Sequence, residues 1–153
     1  MAHLLSVAKY LNKLHTEKHG YQMDEMKMHK MMYFSQRESL MIYGTPLFDG
    51  DFEAWKYGPV LTKVRSEYML GTMFSTAKDD LTSDEKHLTK SVFDRYDVYD
   101  AWQLSTLSHA EKSWLMAREG MSLSERGAKK MSLSAMSVDA AREKLRRQGV
   151  VLA

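Results

Sequence analysis

The sequence of 153 residues contains no cysteine and only two prolines. The absence of cysteine excludes disulfides and thiolate metal sites, and it suits a reducing compartment. No apolar run approaches the roughly 18–20 residues of a membrane span. The first residues also lack the basic start and apolar centre of a signal peptide. We therefore expect a cytoplasmic protein that has no membrane partner.

Signatures of catalysis are missing as well. The sequence has no phosphate-cradling G-x-x-x-x-G-K-[ST] motif, no G-x-G-x-x-G motif and no G-x-S-x-G elbow. Its carboxylates are scattered, so no pair is singled out for acid–base chemistry. His15 and His19 are four residues apart, but Glu17 is misplaced for an H-E-x-x-H site and no third ligand is evident. The sequence therefore predicts no metal, no cofactor and no enzymatic activity.

The overall charge gives little reason to expect nucleic acid as a partner. The formal net charge is +2, with 27% charged and 44% apolar residues, which is typical of one soluble globular domain. Residues 118–153 carry eight basic and four acidic residues, so this stretch is +4 and residues 1–117 are −2. No helix combines Arg or Lys with Asn or Gln for reading bases. A DNA-binding regulator that uses this basic stretch is kept as an alternative hypothesis.

Apolar periodicity indicates a mainly α fold of about six to seven helices. The first helix is predicted over residues 3–18 with Gly20 at its end, and the second over residues 23–43 with Asp24 as its cap. Methionine is abundant in the second helix, where we expect it to fill the core. Later caps are predicted at Thr82 with Glu85, and at Asp100, Ser108 and Ser137.

A small β-hairpin is predicted between the second and third helices. The segment Leu47–Phe52 has Asp49-Gly50 at its centre, a pair that favours a tight turn with positive φ. After it, Phe52 and Ala54 should face one side, and Trp55 and Tyr57 the other. Pro59 is predicted to occupy the first position of the third helix, after Gly58.

Three stretches of the sequence resemble the Panacea antitoxin domain, the family of SocA-like antitoxins and phage-associated GepA-like proteins. They are K-M-H-K-M-M-Y-F-S-Q, then G-T-P-L-F, then E-A-W-K-Y-G-P-V, which ends at Val60. The segment from Ala101 to Arg118 is similar to the second block of the family, although Ser113 stands where a proline commonly precedes the tryptophan. The resemblance covers residues 3–147, so residues 1–153 are expected to form one Panacea-like domain.

The resemblance implies a cytoplasmic antitoxin of a toxin–antitoxin pair. Members of the family neutralise different toxins, typically by direct protein contact, and SocA-like members deliver the toxin to a bacterial AAA+ protease. The partner implied here is therefore a cognate toxin protein, with the protease as a second partner in the adaptor variant. Aromatic residues anchor many interfaces, and the candidate residues for binding the partner are Gln36, Trp55, Lys56, Tyr57, Gly58, Pro59, His109 and Trp114.

Two questions stay open at this stage. Trp55 and Tyr57 either anchor a partner or lock the hairpin onto the third helix, since most tryptophans are largely buried. An enzyme with an unrecognised site is a further alternative, and it requires Gln36, Tyr57 and His109 to converge in one concave pocket.

Overall fold

A computed structural model describes residues 1–152. These residues form seven helices and a two-stranded antiparallel sheet, so the predicted mainly α fold is confirmed. The elements in chain order are α1 (Leu4–His19), α2 (Glu25–Tyr43), β1 (Glu53–Trp55), β2 (Gly58–Val60), α3 (Thr62–Leu70), α4 (Ser83–Tyr96), α5 (Ala101–His109), α6 (Lys112–Ala117) and α7 (Leu133–Arg147).

Helix α2 is the centre of the molecule. It packs against α1, α3, α4, α5, α7 and β2, and every residue from 27 to 40 is buried. Met28, Met31 and Met32 are wholly enclosed, so the prediction that methionines fill the core is confirmed for them. Because this helix is covered on all sides, its charged residues must find partners inside the protein.

Several predicted helix ends are confirmed. Asp24 accepts a hydrogen bond from the amide of Lys27 and caps α2. Thr82 and Asp100 each complete a capping box, with Glu85 and Gln103 respectively. In these places the local sequence is sufficient, because the cap and the amide that it satisfies lie within one turn.

Two caps were predicted at the wrong residue. Ser108 lies inside α5, where its hydroxyl donates to the carbonyl of Ser105, and α6 begins only after Glu111. Ser132, not Ser137, caps α7. Glu111 and Ser132 occupy the two cap positions, whereas Ser108 and Ser137 lie inside helices and their hydroxyls donate to carbonyls of the preceding turn.

The hairpin exists, but its turn is not at Asp49-Gly50. Strand β1 pairs with β2 in the register Glu53 to Val60, and the chain reverses at Lys56-Tyr57. Gly58 has a φ of +120°, whereas Gly50 keeps a negative φ in an extended segment. Pro59 therefore lies in β2 and does not begin α3, which starts at Thr62.

The other edge of β1 is covered by a later part of the chain. The amides of Ala54 and Lys56 donate to the carbonyls of Lys129 and Arg126, both over 2.8 Å. The amide of Met131 donates in turn to the carbonyl of Phe52. Residues 126–131 thus run along this edge of β1 and cover it, with one bridge between Glu53 and Lys130.

Candidate functional site

The tip of the hairpin is where most of the predicted binding residues meet. Phe52 and Ala54 are buried, Trp55 is half-buried and Tyr57 is 45% exposed, so the predicted alternation of the two faces is confirmed. The Tyr57 ring meets Trp102 of α5 edge to face, with 5.4 Å between the ring centroids. Trp102 is itself 61% exposed. The hairpin and α5 together present an aromatic pair to solvent.

Backbone carbonyls of the hairpin are held by side chains from α5 and α6. The indole of Trp114 donates to the carbonyl of Trp55 over 2.8 Å, and the Ser105 hydroxyl donates to the carbonyl of Tyr57 over 2.6 Å. Arg118, just after α6, donates to the carbonyl of Ala54 over 2.9 Å. Together these bonds fix the tip to the helices.

His109 stacks on Trp114, with ring centroids 4.3 Å apart and planes 19° from parallel. Its Nε2 is buried and has no hydrogen-bond partner among residues 1–152. Burial, together with the positive charge of Lys30, lowers the pKa of His109. At neutral pH the ring is therefore an uncharged packing group behind Trp114.

Gly58 and Pro59 lie where β2 crosses α2 and α5. A Cβ on Gly58 would come within 2.6 Å of the Ser108 hydroxyl and 2.7 Å of Cε of Lys30. With a φ of +120° as well, only glycine fits at this position. The two residues are buried, so they set the position of the tip and are not themselves exposed to a partner.

Gln36 lies apart from the other candidate residues. Its amide nitrogen donates to the carbonyl of Phe48 over 2.9 Å, and its oxygen accepts from the amides of Leu47 and Phe48. All its hydrogen bonds hold the segment before the hairpin. It lines a different cavity from Tyr57, so Gln36, Tyr57 and His109 do not converge as the enzyme hypothesis requires.

A cavity of about 490 Å³ opens beside Trp55. We name it the Trp55 pocket, and its lining residues are Glu25, Met26, His29, Lys30, Trp55, Lys56, Tyr57, Val60, Arg65, Ser124 and Arg126. The guanidinium of Arg126 lies 4.4 Å from the centre of a Trp55 ring, and that of Arg65 lies 5.3 Å away. Both distances are within the range of cation–π attraction. Trp55 is therefore a half-exposed wall of a cationic pocket and does not belong to the sealed core.

Four further residues of the site were not predicted from the sequence, namely Lys30, Arg65, Arg126 and Trp102. Lys30 looks like a solvated position on an amphipathic helix, because nothing local shows that α2 is buried on every side. Arg126 is far along the chain and arrives only because residues 126–131 pair with β1. Trp102 belongs to the block from Ala101 to Arg118 that the resemblance covers, but its exposure beside Tyr57 is visible only in the structure.

His15 and His19 do acquire a third potential ligand in the structure, the carboxylate of Asp97. One donor atom from each of the three lies within 4.8 Å of the others. The same carboxylate, however, accepts from the ammonium groups of Lys18 over 2.8 Å and Lys27 over 2.9 Å. Their positive charge opposes a cation here, and the contacts describe an ion-pair network that joins α1, α2 and α4.

Several basic side chains after residue 117 form hydrogen bonds and ion pairs within the protein. Arg118 binds backbone carbonyls, and Arg147 makes a two-pronged pair with Glu38, both contacts at 2.8 Å. Arg146 and Arg147 also pair with Glu143. The pair of Arg147 and Glu38 joins α7 to α2. The DNA-binding hypothesis requires free positive charge for contacts with phosphates, but carboxylates neutralise the charges of Arg146 and Arg147.

Among residues 1–152, no helix has the length and apolarity needed to cross a membrane. Comparison with curated proteins gives no significant match, and comparison with solved structures gives none either. A family model described as "Antitoxin SocA-like, Panacea domain" matches residues 28–115, which is more than half of the chain. The matched residues run from the central helix through the hairpin into α6, and thus contain the tip and two of the side chains that hold it, Ser105 and Trp114. The chain belongs to the SocA-like, Panacea-domain antitoxin family.

Proposed function

We propose that this protein is the antitoxin of a toxin–antitoxin pair and neutralises its toxin by direct contact at the hairpin tip. The observation that carries the proposal is the exposed pair of Tyr57 and Trp102 on a rigid support. Tyrosine and tryptophan are enriched among the residues that dominate binding energy in interfaces. The two rings contact each other, and about half of each remains exposed to solvent and available to a partner.

The support is rigid because three side chains bind the hairpin carbonyls of Ala54, Trp55 and Tyr57. A surface that is already ordered before binding loses little conformational entropy when the partner arrives. Rigid aromatic side chains on a fixed backbone therefore favour tight sequestration of a protein. Among the candidate residues, Trp55, Lys56 and Tyr57 would touch the toxin, while Gly58, Pro59, His109 and Trp114 position them. Gln36 supports the preceding segment.

The test uses the open reading frame next to the gene of this protein. That frame is expressed alone and together with this protein, and growth and co-purification of the two products are measured. We expect growth arrest by the neighbour alone, rescue by co-expression, and a stable complex. Rescue with no complex, or no arrest at all, would contradict the proposal. Loss of the toxin over time, only in cells with an intact AAA+ protease, would identify the adaptor variant instead.

The surface is tested with the double variant Tyr57→Ala and Trp102→Ala. We expect it to abolish rescue and co-purification while its melting temperature stays close to that of the wild type. Tyr43→Ala is the matched control, because Tyr43 is similarly exposed at the end of α2. Equal loss of binding in both variants would show that the tip is not the contact surface.

A further inference from the structure

The Trp55 pocket concentrates positive charge. Four cationic side chains line it, namely Lys30, Lys56, Arg65 and Arg126, against the single carboxylate of Glu25. That carboxylate is already engaged, since it accepts from His29 and Arg65, both over 3.0 Å. An anion that enters the pocket would therefore meet unbalanced cations, although the whole chain has a formal charge of only +2.

His29 is fully satisfied and does not compete for such an anion. The amide of Leu61 donates to its Nδ1 over 3.2 Å, so in the neutral ring Nε2 carries the proton that is donated to Glu25. Burial lowers the pKa of His29, which favours this neutral form. The ring forms one wall of the pocket and holds Glu25 in place.

Lys30 is the buried cation of the pocket, and it has no anionic partner among residues 1–152. It is 1% exposed, and within residues 1–152 its ammonium makes one hydrogen bond, to the carbonyl of Pro59 over 3.4 Å. An ammonium has three donors, and a buried one is normally paired with an anion. Burial lowers the pKa of Lys30 to about 8, with Glu25 and Asp24 opposing the shift. The group therefore remains mostly protonated at pH 7, and its position beside the cavity suits an anion supplied by a ligand.

The remaining lining indicates what that anion is attached to. Met26, Val60 and the ring of Trp55 give the pocket apolar surface as well, and two of its cations, Arg65 and Arg126, lie beside that ring. Methionine adapts its shape to different apolar groups. The occupant therefore has both a carboxylate and an adjacent apolar side chain, and a cavity of about 490 Å³ holds a few side chains at most.

We propose that the Trp55 pocket receives an acidic segment of the cognate toxin, with a carboxylate bound by Lys30 and a neighbouring apolar side chain packed on Trp55. This inference rests on the proposed antitoxin function and names the chemistry that the toxin must present. The pocket lies directly beside Tyr57, so the aromatic tip and the acidic anchor form one continuous contact surface.

The test measures the affinity of the full chain for the purified toxin at low and high salt. Lys30→Met keeps the buried stem and removes the charge, and we expect a loss of roughly 30-fold or more that persists at high salt. Arg126→Met removes a charge at the rim, where the loss should be smaller and should fade with salt. Lys86→Met on α4 is the control, because its exposed side chain lies outside the pocket and affinity should not change.

The melting temperature of the free protein distinguishes a binding role of Lys30 from a structural one. Lys30→Met removes a buried charge without an anionic partner, so the free protein should melt at the same temperature or higher. Loss of stability together with loss of affinity would overturn the inference, as would unchanged affinity. If the wild type binds the toxin and the pocket variants bind equally well, the pocket proposal fails and the antitoxin proposal stands.

A peptide probe tests the pocket without the toxin. Fluorescent peptides in which glutamate alternates with leucine are compared with the same peptides carrying glutamine for glutamate. The wild type should prefer the glutamate peptides, and Lys30→Met should lose that preference. Equal binding of both peptides would contradict the proposal, and so would their displacement by duplex DNA at moderate salt, which would identify a nucleic-acid ligand instead.

Discussion

The indole N–H of Trp114 donates to the backbone carbonyl of Trp55 over 2.8 Å. The bond joins the tip of the hairpin to α6, although 59 positions separate the two residues. Trp114 is buried, and His109 and the guanidinium of Arg118 lie against its rings. The exposed aromatics of the tip therefore depend on a tryptophan that does not reach the surface.

Trp114→Phe should destabilise the protein by about 2–4 kcal/mol, because it removes the hydrogen bond to the Trp55 carbonyl and opens a small cavity. Urea denaturation followed by circular dichroism measures the change in the free energy of unfolding. Trp102→Phe makes the same change at an exposed indole and should stay within about 0.5 kcal/mol of the wild type. Similar losses in the two variants would show that the bond to Trp55 contributes little.

Ser113 stands where the family commonly has proline, and the structure gives the serine a specific role. Its amide donates to Asp139 over 3.1 Å, and its hydroxyl lies 3.3 Å from that of Tyr33. Asp139 is wholly buried on α7 and also accepts from the amide of Lys112 and the hydroxyl of Tyr33. A side chain from a distant helix thus satisfies the first amides of α6, which no local cap does.

Ser113→Pro should therefore cost about 1–3 kcal/mol in this chain, although proline is sterically acceptable in the first turn of a helix. The cost arises because Asp139 loses a donor in a buried site. In an Asp139→Asn background the same substitution should cost less, and a double-mutant cycle of unfolding free energies measures the coupling. A proline variant as stable as the wild type would contradict this account.

Asp97 predicts how stability depends on pH. Burial acts to raise its pKa, but hydrogen bonds from Lys18, Lys27 and His19 outweigh burial and hold the pKa of Asp97 well below its usual range. Because the folded pKa lies below the unfolded one, the unfolded state binds the proton first as the pH falls. The contribution of Asp97 is therefore complete at neutral pH and is lost as the pH falls below about 4.

Unfolding free energies at pH 7 and at pH 3 test this prediction. Asp97→Asn should be less stable than the wild type at pH 7, and the difference between the two should shrink at pH 3. The control is Asp94→Asn, which removes the exposed ion pair with Lys90 on α4, the helix that Asp97 follows. This variant should change stability little at either pH. A constant difference between Asp97→Asn and the wild type across the range would refute the assignment.

Local patterns were enough for most of the helices. Asp24, Thr82 and Asp100 cap helices whose amides are three positions away, so the sequence window contains both partners. The hairpin was predicted from Asp49-Gly50 between apolar pairs, and the alternation after it placed Trp55 and Tyr57 on one face. Its turn was misplaced because Asp-Gly is a general turn signal, while the conformation of Gly58 depends on the crowding of Lys30 and Ser108 around it.

The candidate site was predictable only in part. The aromatics and Lys56 of the hairpin were recognised from the family pattern, but the other three cations around them come from α2, α3 and the segment after α6. Arg65 and Arg126 contact Trp55 only through the tertiary structure, and no local sequence pattern indicates these contacts. Likewise, the charged residues of α2 resemble a solvated face until neighbouring helices enclose them and supply partners such as Glu111 for Arg37 and Arg147 for Glu38.

By itself, the sequence determined the number and order of the helices and most of their ends, because these depend on residues close along the chain. It also determined the family to which the chain belongs, because the family motifs are stretches of sequence. The tertiary structure alone decided that Lys30 is buried nearly without a partner and that two guanidinium groups meet Trp55. It also decided that Asp139 caps α6. Each of these features depends on side chains that are distant in sequence and meet only after folding. Their burial and their charged neighbours are therefore determined by the packing of the whole protein.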